Sequence, residues 1–420
     1  MLTQQDRKNG SESFRPSKVN GQKNFLKLPF LLFFSSFKFP FNWRQFPVTF
    51  LLLVTLFSCS QKSATIPDTK VSPQGNSDSN LIFTGVDLEQ FDEVGKPLWK
   101  VKAKRAKYIK EKQVAQAENP NGELYQDGKV VYTIKGQKAD IVQNGKHLVL
   151  KGKILATDPT NGIILRGNEL EWLPQQGLLV VRKDFHCVHK QLQAVAAEAR
   201  VKTREHYAEF SGHVIADSFD PRLQIRTERL LWQFQAQKLS SDRPVQIDSY
   251  KNHQIVNRGT GNAADVDLKT KIATLKQNAQ LLLSDPPIQV NSNSITWDEN
   301  NEVVTTNSLV HIFHRADKIN ITADRGKLLI PENTAYFTGN VYAIGARQQS
   351  LKSHQLTWYL KQKFLSAQGN VIYHQIDPKL NFQGETATGN LQTEDIIVKG
   401  GSTFGRVITV IIPQPAQKKQ

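Results

Sequence analysis

The sequence predicts an all-β fold, an extended antiparallel β-jelly roll assembled from hairpin units of roughly 30 residues, and three observations carry that expectation. The first is a recurring triplet that ends in tryptophan: Leu170-x-Trp172, Leu230-x-Trp232, Ile295-x-Trp297 and Leu356-x-Trp358, spaced by 60, 65 and 61 residues. Segments near the midpoints, Ala139-Asp140-Ile141, Ala199-Arg200-Val201 and Ala264-Asp265-Val266, halve that period. The second is alternation. Leu230, Trp232 and Phe234 share one face of a strand while Arg229, Gln233 and Gln235 take the other, and Leu356, Trp358 and Leu360 repeat the pattern. The third is a repeated strand ending, Gly152-Lys153-Ile154, Gly212-His213-Val214, Gly339-Asn340-Val341 and Gly369-Asn370-Val371. A glycine inside a strand marks a bulge or bend, so its recurrence places a bend at one level of every strand pair.

Taken in chain order, residues 1–58 read as an export signal. They hold eight Lys or Arg against Asp6 and Glu12, and Phe46 to Phe57 has the dimensions of a signal-peptide h-region behind Arg44. Neither this stretch nor Phe30 to Phe41 reaches the ~20 apolar residues of a membrane-spanning helix. The segment closes on Leu56-Phe57-Ser58-Cys59, which is similar to a bacterial lipobox, so Cys59 is the expected lipidation site; uncleaved, the same segment would stay as an anchor. Residues 59–80, rich in Ser, Pro, Asn and Gln, read as a flexible tether. Two β-jelly-roll regions are expected next, 81–245 and 246–412, before a polar tail over 413–420. Turns are expected at Asn144-Gly145, Pro174 to Gly177, Asn300-Asn301 and Glu332-Asn333. The best helix-period stretch, Leu192 to Val201, is expected to flank a strand. Val407 to Ile412 reads as a terminal strand that either caps the sheet or docks a partner.

Strands with one apolar and one polar face must close two faces against each other. Repetition of the aromatic triplets then points to a continuous apolar trough, with Leu170, Trp172, Leu230, Trp232, Phe234, Ile295, Trp297, Leu356, Trp358 and Leu360 as its lining. The bland reading of any one of these is a packed aromatic core.

Two segments resemble a known family. Phe91-Asp92, Gly95, Pro97-Leu98-Trp99-Lys100-Val101-Lys102-Ala103 and Ala106-Lys107-Tyr108 are similar to the LptC component of lipopolysaccharide transport. Leu356-Thr357-Trp358 and Gly369-Asn370-Val371 are closer to the OstA-like repeat of the LptA-type bridge component. The resemblance spans about residues 81 to 405, although the chain is longer than either component, by about twofold, and carries a lipobox in place of a single membrane anchor. It implies a periplasmic, membrane-tethered protein. Such a protein would carry lipopolysaccharide acyl chains from an inner-membrane ABC transporter towards the outer membrane, and would meet a bridge protein, or a second copy of itself, by edge-strand addition. The alternative is a structural or adhesive β-repeat lipoprotein of the envelope without lipid cargo; a third reading is an envelope carbohydrate-binding or hydrolytic enzyme.

Charge and chemistry narrow the classes further. The 420-residue chain holds 54 Lys and Arg against 38 Asp and Glu, a net charge of +16, of which +6 lies before Cys59. The remaining basic residues alternate with acidic ones over many strands and form no single stripe, so no nucleic-acid partner is expected. Two cysteines exclude a disulfide scaffold. No enzyme, cofactor or metal is expected. His186 with His189, and His311 with His314, are three apart and face opposite sides of a strand. Cys187 with His189 and Asp265 with Asp267 do share faces, but a buried thiol and solvated carboxylates are the simpler readings. Gly259-Thr260-Gly261-Asn262 lacks the strand-to-helix setting of a phosphate loop.

Overall fold

A computed structural model describes residues 81–411, apart from 110–111, 143–144, 378, 394 and 402–406. The expected lipidation site Cys59, the signal and tether over 1–80, Asn144 and the tail over 413–420 lie outside the described residues. The described chain is antiparallel β throughout, from Leu81–Phe91 to Ile408–Ile411, with short 3-10 turns such as Pro174–Gln176 and no α-helix among the described residues.

Each long strand pairs with its predecessor and its successor in sequence. Tyr207–Phe219, for example, lies between Leu192–Lys202 and Arg222–Gln233. Where a long strand is interrupted, its two pieces continue the same ladder: Lys238–Ser241 and Val245–Lys251 both pair with Arg222–Gln233. The ladder passes through residue 245 without a break, since Val245 is opposite both Thr227 and Gly261.

The recurrent glycine does what its position in the strand requires. At Gly152, Gly212, Gly339 and Gly369 the backbone enters the left-handed region (φ +77°, +79°, +80° and +82°), and the following Lys153, His213, Asn340 and Asn370 do so too. Two residues then oppose one on a neighbouring strand, as Gly212-His213 oppose Glu228, and the register shifts there. This two-against-one bulge bends the strand, so that inward residues on both sides of the bend, Ala208 and Phe210 before it and Val214 and Ala216 after it, reach the same core. Lys183-Asp184 and Gln277-Asn278 make the same bend without glycine. The halves of the bent strands thus form two walls facing one another over a single apolar cluster that runs from Trp99 to Ala387.

Leu192 to Val201 departs from expectation, being part of a full strand, Leu192–Lys202. Its inward residues are Leu192 and Ala194, then Ala199 and Val201, with a bulge between Val195 and Glu198. That interruption breaks the two-residue alternation and imitates helical spacing. The expected turns at Pro174–Gly177, Asn300-Asn301 and Glu332-Asn333 all connect strands.

Candidate functional site

All ten predicted lining residues are buried, between 0 and 7% exposed. Leu170 and Trp172 lie on Ile164–Leu173, Leu230 and Trp232 on Arg222–Gln233 with Phe234 just beyond, Ile295 and Trp297 on Ile288–Asp298, and Leu356 and Trp358 on Ser350–Tyr359 with Leu360 just beyond. Three of the indoles have alanine as a cross-strand partner: Trp232 opposite Ala208, Trp297 opposite Ala273 and Trp358 opposite Ala335. A small neighbour leaves room for a large ring on the same face, a pairing that sequence reasoning did not use. Trp99, Tyr132, Phe185, Phe210 and Phe337, also missed, are buried among the same core. Trp99 donates its indole N–H to the Gly145 carbonyl at 2.8 Å, and Trp172 donates to the Leu98 carbonyl at 3.2 Å. The indole N–H groups of Trp232 and Trp358 are buried without an acceptor.

The free ends of the two walls form two rows of turns, and side chains bridge them. One rim includes the turns at 203–206, 268–271 and 360–363; the other includes 127–128, 220–221 and 315–318. Arg204 reaches Asp127 at 3.4 Å, Lys271 reaches Asp220 at 2.7 Å and Lys363 reaches Asp317 at 3.4 Å. The Thr203 hydroxyl donates to Gln126 beside the first of these. Beneath the rim, the His189 ring packs on Trp232 and the His314 ring on Trp358, each with centroids 5.1 Å apart. These are inter-rim contacts between residues 43 and 44 apart in sequence, and no backbone ladder crosses the gap among the described residues.

Burial sets the protonation of this rim. It lowers both histidines below their ordinary range, so the rings are neutral. In His189 the Nδ1 atom accepts the Gln191 N–H at 3.2 Å, which leaves the proton on Nε2 to be donated to the Asn161 carbonyl at 3.1 Å. His314 Nδ1 likewise accepts the Asp317 N–H at 3.1 Å. Glu299, behind Lys271, is pushed up to about 7 by desolvation, and one of its carboxyl oxygens has no partner.

The chemistry-bearing residues weighed for catalysis do structural work. Cys187 is buried and its thiol is pushed up to about 12 by desolvation, so it stays protonated. His186 is exposed where His189 is buried, and His311 is exposed where His314 is buried. Asp265 pairs with Lys276, while Asp267 accepts the N–H groups of Lys269 and Thr270 in the next turn. No group of three or more His, Cys, Asp or Glu is arranged to hold a metal among the described residues.

Comparison with known proteins places this geometry in context. The family model described as "Lipopolysaccharide-assembly, LptC-related" matches residues 47–177, 175–283 and 287–403. No curated protein matches the chain. Among solved structures, the chain is similar to LptH of Pseudomonas aeruginosa, described as the LptA homologous periplasmic component of the lipopolysaccharide transport device. That likeness has 15% identity and a TM-score of 0.23, and covers 37% of this chain and 95% of the other.

Proposed function

Since the chain belongs to the LptC-related lipopolysaccharide-assembly family, whose members are non-enzymatic transport components, we propose that it is a periplasmic carrier that holds lipopolysaccharide acyl chains between its two walls. The observation that carries this reading is the combination of one unbroken apolar interior with a mouth closed only by side chains. Ion pairs that remain this exposed are worth about 0–1 kcal/mol each. Burial of a methylene is worth about 0.8 kcal/mol, so an acyl chain of roughly a dozen methylenes outweighs several such pairs. The walls can therefore part at the mouth while the backbone ladder within each wall stays whole. The unpartnered N–H groups of Trp232 and Trp358 support the same reading, because the carbonyls that join acyl chains to a headgroup would satisfy them.

In this reading Cys59 carries the lipid that tethers the protein, and residues 59–80 give it reach. The regions 81–245 and 246–412 act as consecutive parts of one conduit. Among the described residues Leu81–Phe91 pairs only with Pro97–Ile109, which leaves its other edge without a described strand, and Leu81, Ile82 and Phe83 are exposed. That edge is the proposed contact with the inner-membrane ABC transporter. The opposite edge, Ile408–Ile411, pairs with Leu380–Asn390 and is the proposed contact with the next bridge segment, by strand addition. Unchanged recovery of partners after deletion of residues 406–420 would exclude the second contact.

The alternative, an envelope repeat protein without cargo, draws on the close packing of the same tryptophans. A photo-crosslinking amino acid at Trp232 or Trp297 separates the two readings, with the exposed, opposite-face Gln233 as control. Lipopolysaccharide adducts at the tryptophan positions alone are expected. Their absence in exported protein whose β-sheet circular dichroism is intact would favour the cargo-free repeat.

A further inference from the structure

One outward row of side chains differs from the rest of the surface. The first outward-facing positions past the bends run from strand to strand as Arg226, Gln246, Thr260, Gln280, Asn291, His311, Thr322 and Tyr342, each opposite the next in register. Six consecutive members, Gln246 to Thr322, are amide, hydroxyl and imidazole side chains with no Lys, Arg, Asp or Glu among them. On the other wall, the outward row just before the bends reads Lys151, Glu169, Arg182 and Glu198, whose charges are spent on one another and on neighbours. A neutral row of this length is therefore a local feature in a chain of net charge +16.

The row also has relief and apolar platforms. Thr260, Asn278, Gln280, Asn291, Asn293 and His311 line a concavity of about 630 Å³. A second hollow of about 390 Å³ shares Thr260 and Asn278 with it and continues towards Gln246 and Arg226. Leu309, which lines the larger concavity, is 69% exposed. Beside the row, two residues further along their strands, Leu282 and Phe313 point outward and are half-buried. Gln280 donates to Asn291 at 2.9 Å, which leaves the Gln280 carbonyl oxygen and the Asn291 amide nitrogen without a protein partner among the described residues.

We propose that this outer face, centred on Gln280, Asn291, His311 and Phe313, binds a neutral polysaccharide chain. Amide and hydroxyl groups match sugar hydroxyls as paired donors and acceptors, and an aromatic or aliphatic side chain packs on the apolar face of a pyranose ring. Neighbouring strands lie about 4.8 Å apart, close to the length of one pyranose unit, so six positions present hydrogen-bonding groups over about 24 Å in step with an extended glycan. The absence of Lys and Arg between Gln246 and Thr322 along the row disfavours a polyanion, and its length over six strands favours an extended chain over a compact small molecule. The row lies beside the bends, on the side of the wall away from the bridged mouth, so the site is distinct from the interior and does not depend on what the interior carries.

The test is calorimetric titration of the full chain with hexasaccharides of glucose and of N-acetylglucosamine, using a heparin hexasaccharide as the charged control. A neutral hexasaccharide is expected to bind, and Phe313→Ala is expected to weaken it by about fivefold. Because Phe313→Ala removes apolar contact, Asn291→Asp serves as a second variant. It keeps the side-chain shape and the oxygen that accepts from Gln280 and Gln289, removes the free amide donor, places a negative charge in the row and is expected to weaken binding at an unchanged melting temperature. Failure of both neutral hexasaccharides to bind would overturn the proposal. So would heparin binding as tightly as they do, or neutral binding that survives in the second variant.

Discussion

Replacing Gly212 by alanine tests whether the bends are built as described. The residue sits at φ +79°, and an added Cβ would lie 2.7 Å from the Ala197 Cβ on the neighbouring strand. The left-handed conformation costs a residue with a Cβ about 1–2 kcal/mol. A methyl group has no flexible end with which to yield, so the adjoining strand must move, and overpacking of this kind costs about 1–3 kcal/mol. The expected loss is about 2–5 kcal/mol. Gly95→Ala is the reference, because Gly95 has nearly the same φ of +80° but nothing within 4 Å of its added Cβ; it should lose only the conformational part, about 1–2 kcal/mol. A long ladder of nearest-neighbour contacts need not unfold in a single transition, so the suitable assay is local opening measured by amide hydrogen exchange around each glycine, across Tyr207–Phe219 for Gly212 and across Leu81–Phe91 and Pro97–Ile109 for Gly95. Equal losses in the two variants, or full protection in Gly212→Ala, would refute the account of the bend.

Three further outcomes follow from the site. Cys187 should resist iodoacetamide in the folded protein and react after unfolding, as judged by mass spectrometry; native-state labelling at the unfolded rate would contradict its burial. Glu299 is raised from about 4.5 to about 7, so the folded state holds its proton more tightly and stability declines as pH rises through 7. Glu299→Gln, which mimics the neutral acid, should therefore gain about 1–2 kcal/mol in urea denaturation near about pH 8 and little near about pH 5, the figure being reduced for partial solvent exposure. For His189 and His314 the sign is opposite. Their folded values lie below the unfolded one, so the unfolded chain takes up protons first and stability falls as pH drops below about 6.5. Replacing both by Gln should flatten that acid limb, and an unchanged urea midpoint profile in the variant would show that other groups set it.

The ladder itself could be read from alternation and from the tryptophan triplets, because strand periodicity is local. The bends could be read where glycine supplied the positive φ at 152, 212, 339 and 369, but not at Lys183-Asp184 or Gln277-Asn278, where residues with side chains adopt the same backbone. Around Val195 the bulge hid a strand altogether. The buried face of the strands was evident from Trp172, Trp232, Trp297 and Trp358, whereas the bridges between the two rims were not. Arg204 and Asp127 are 77 residues apart, and nothing in either neighbourhood marks the other as its partner. Such pairings depend on how far the walls curve towards each other, which spacing along one strand does not encode. The same holds for the neutral outer row, whose members are 11 to 20 residues apart and become neighbours only through register.

The pairing of every long strand with its immediate predecessor has a consequence for how the molecule is made. A newly delivered hairpin needs only the exposed edge of the one before it, so the protein can assemble in the direction in which it emerges from a ribosome or a translocation channel, without waiting for its C-terminus. Such short-range contacts favour rapid folding. They also make the length of the ladder adjustable, since a duplicated or lost pair of hairpins leaves the remaining register and faces unchanged.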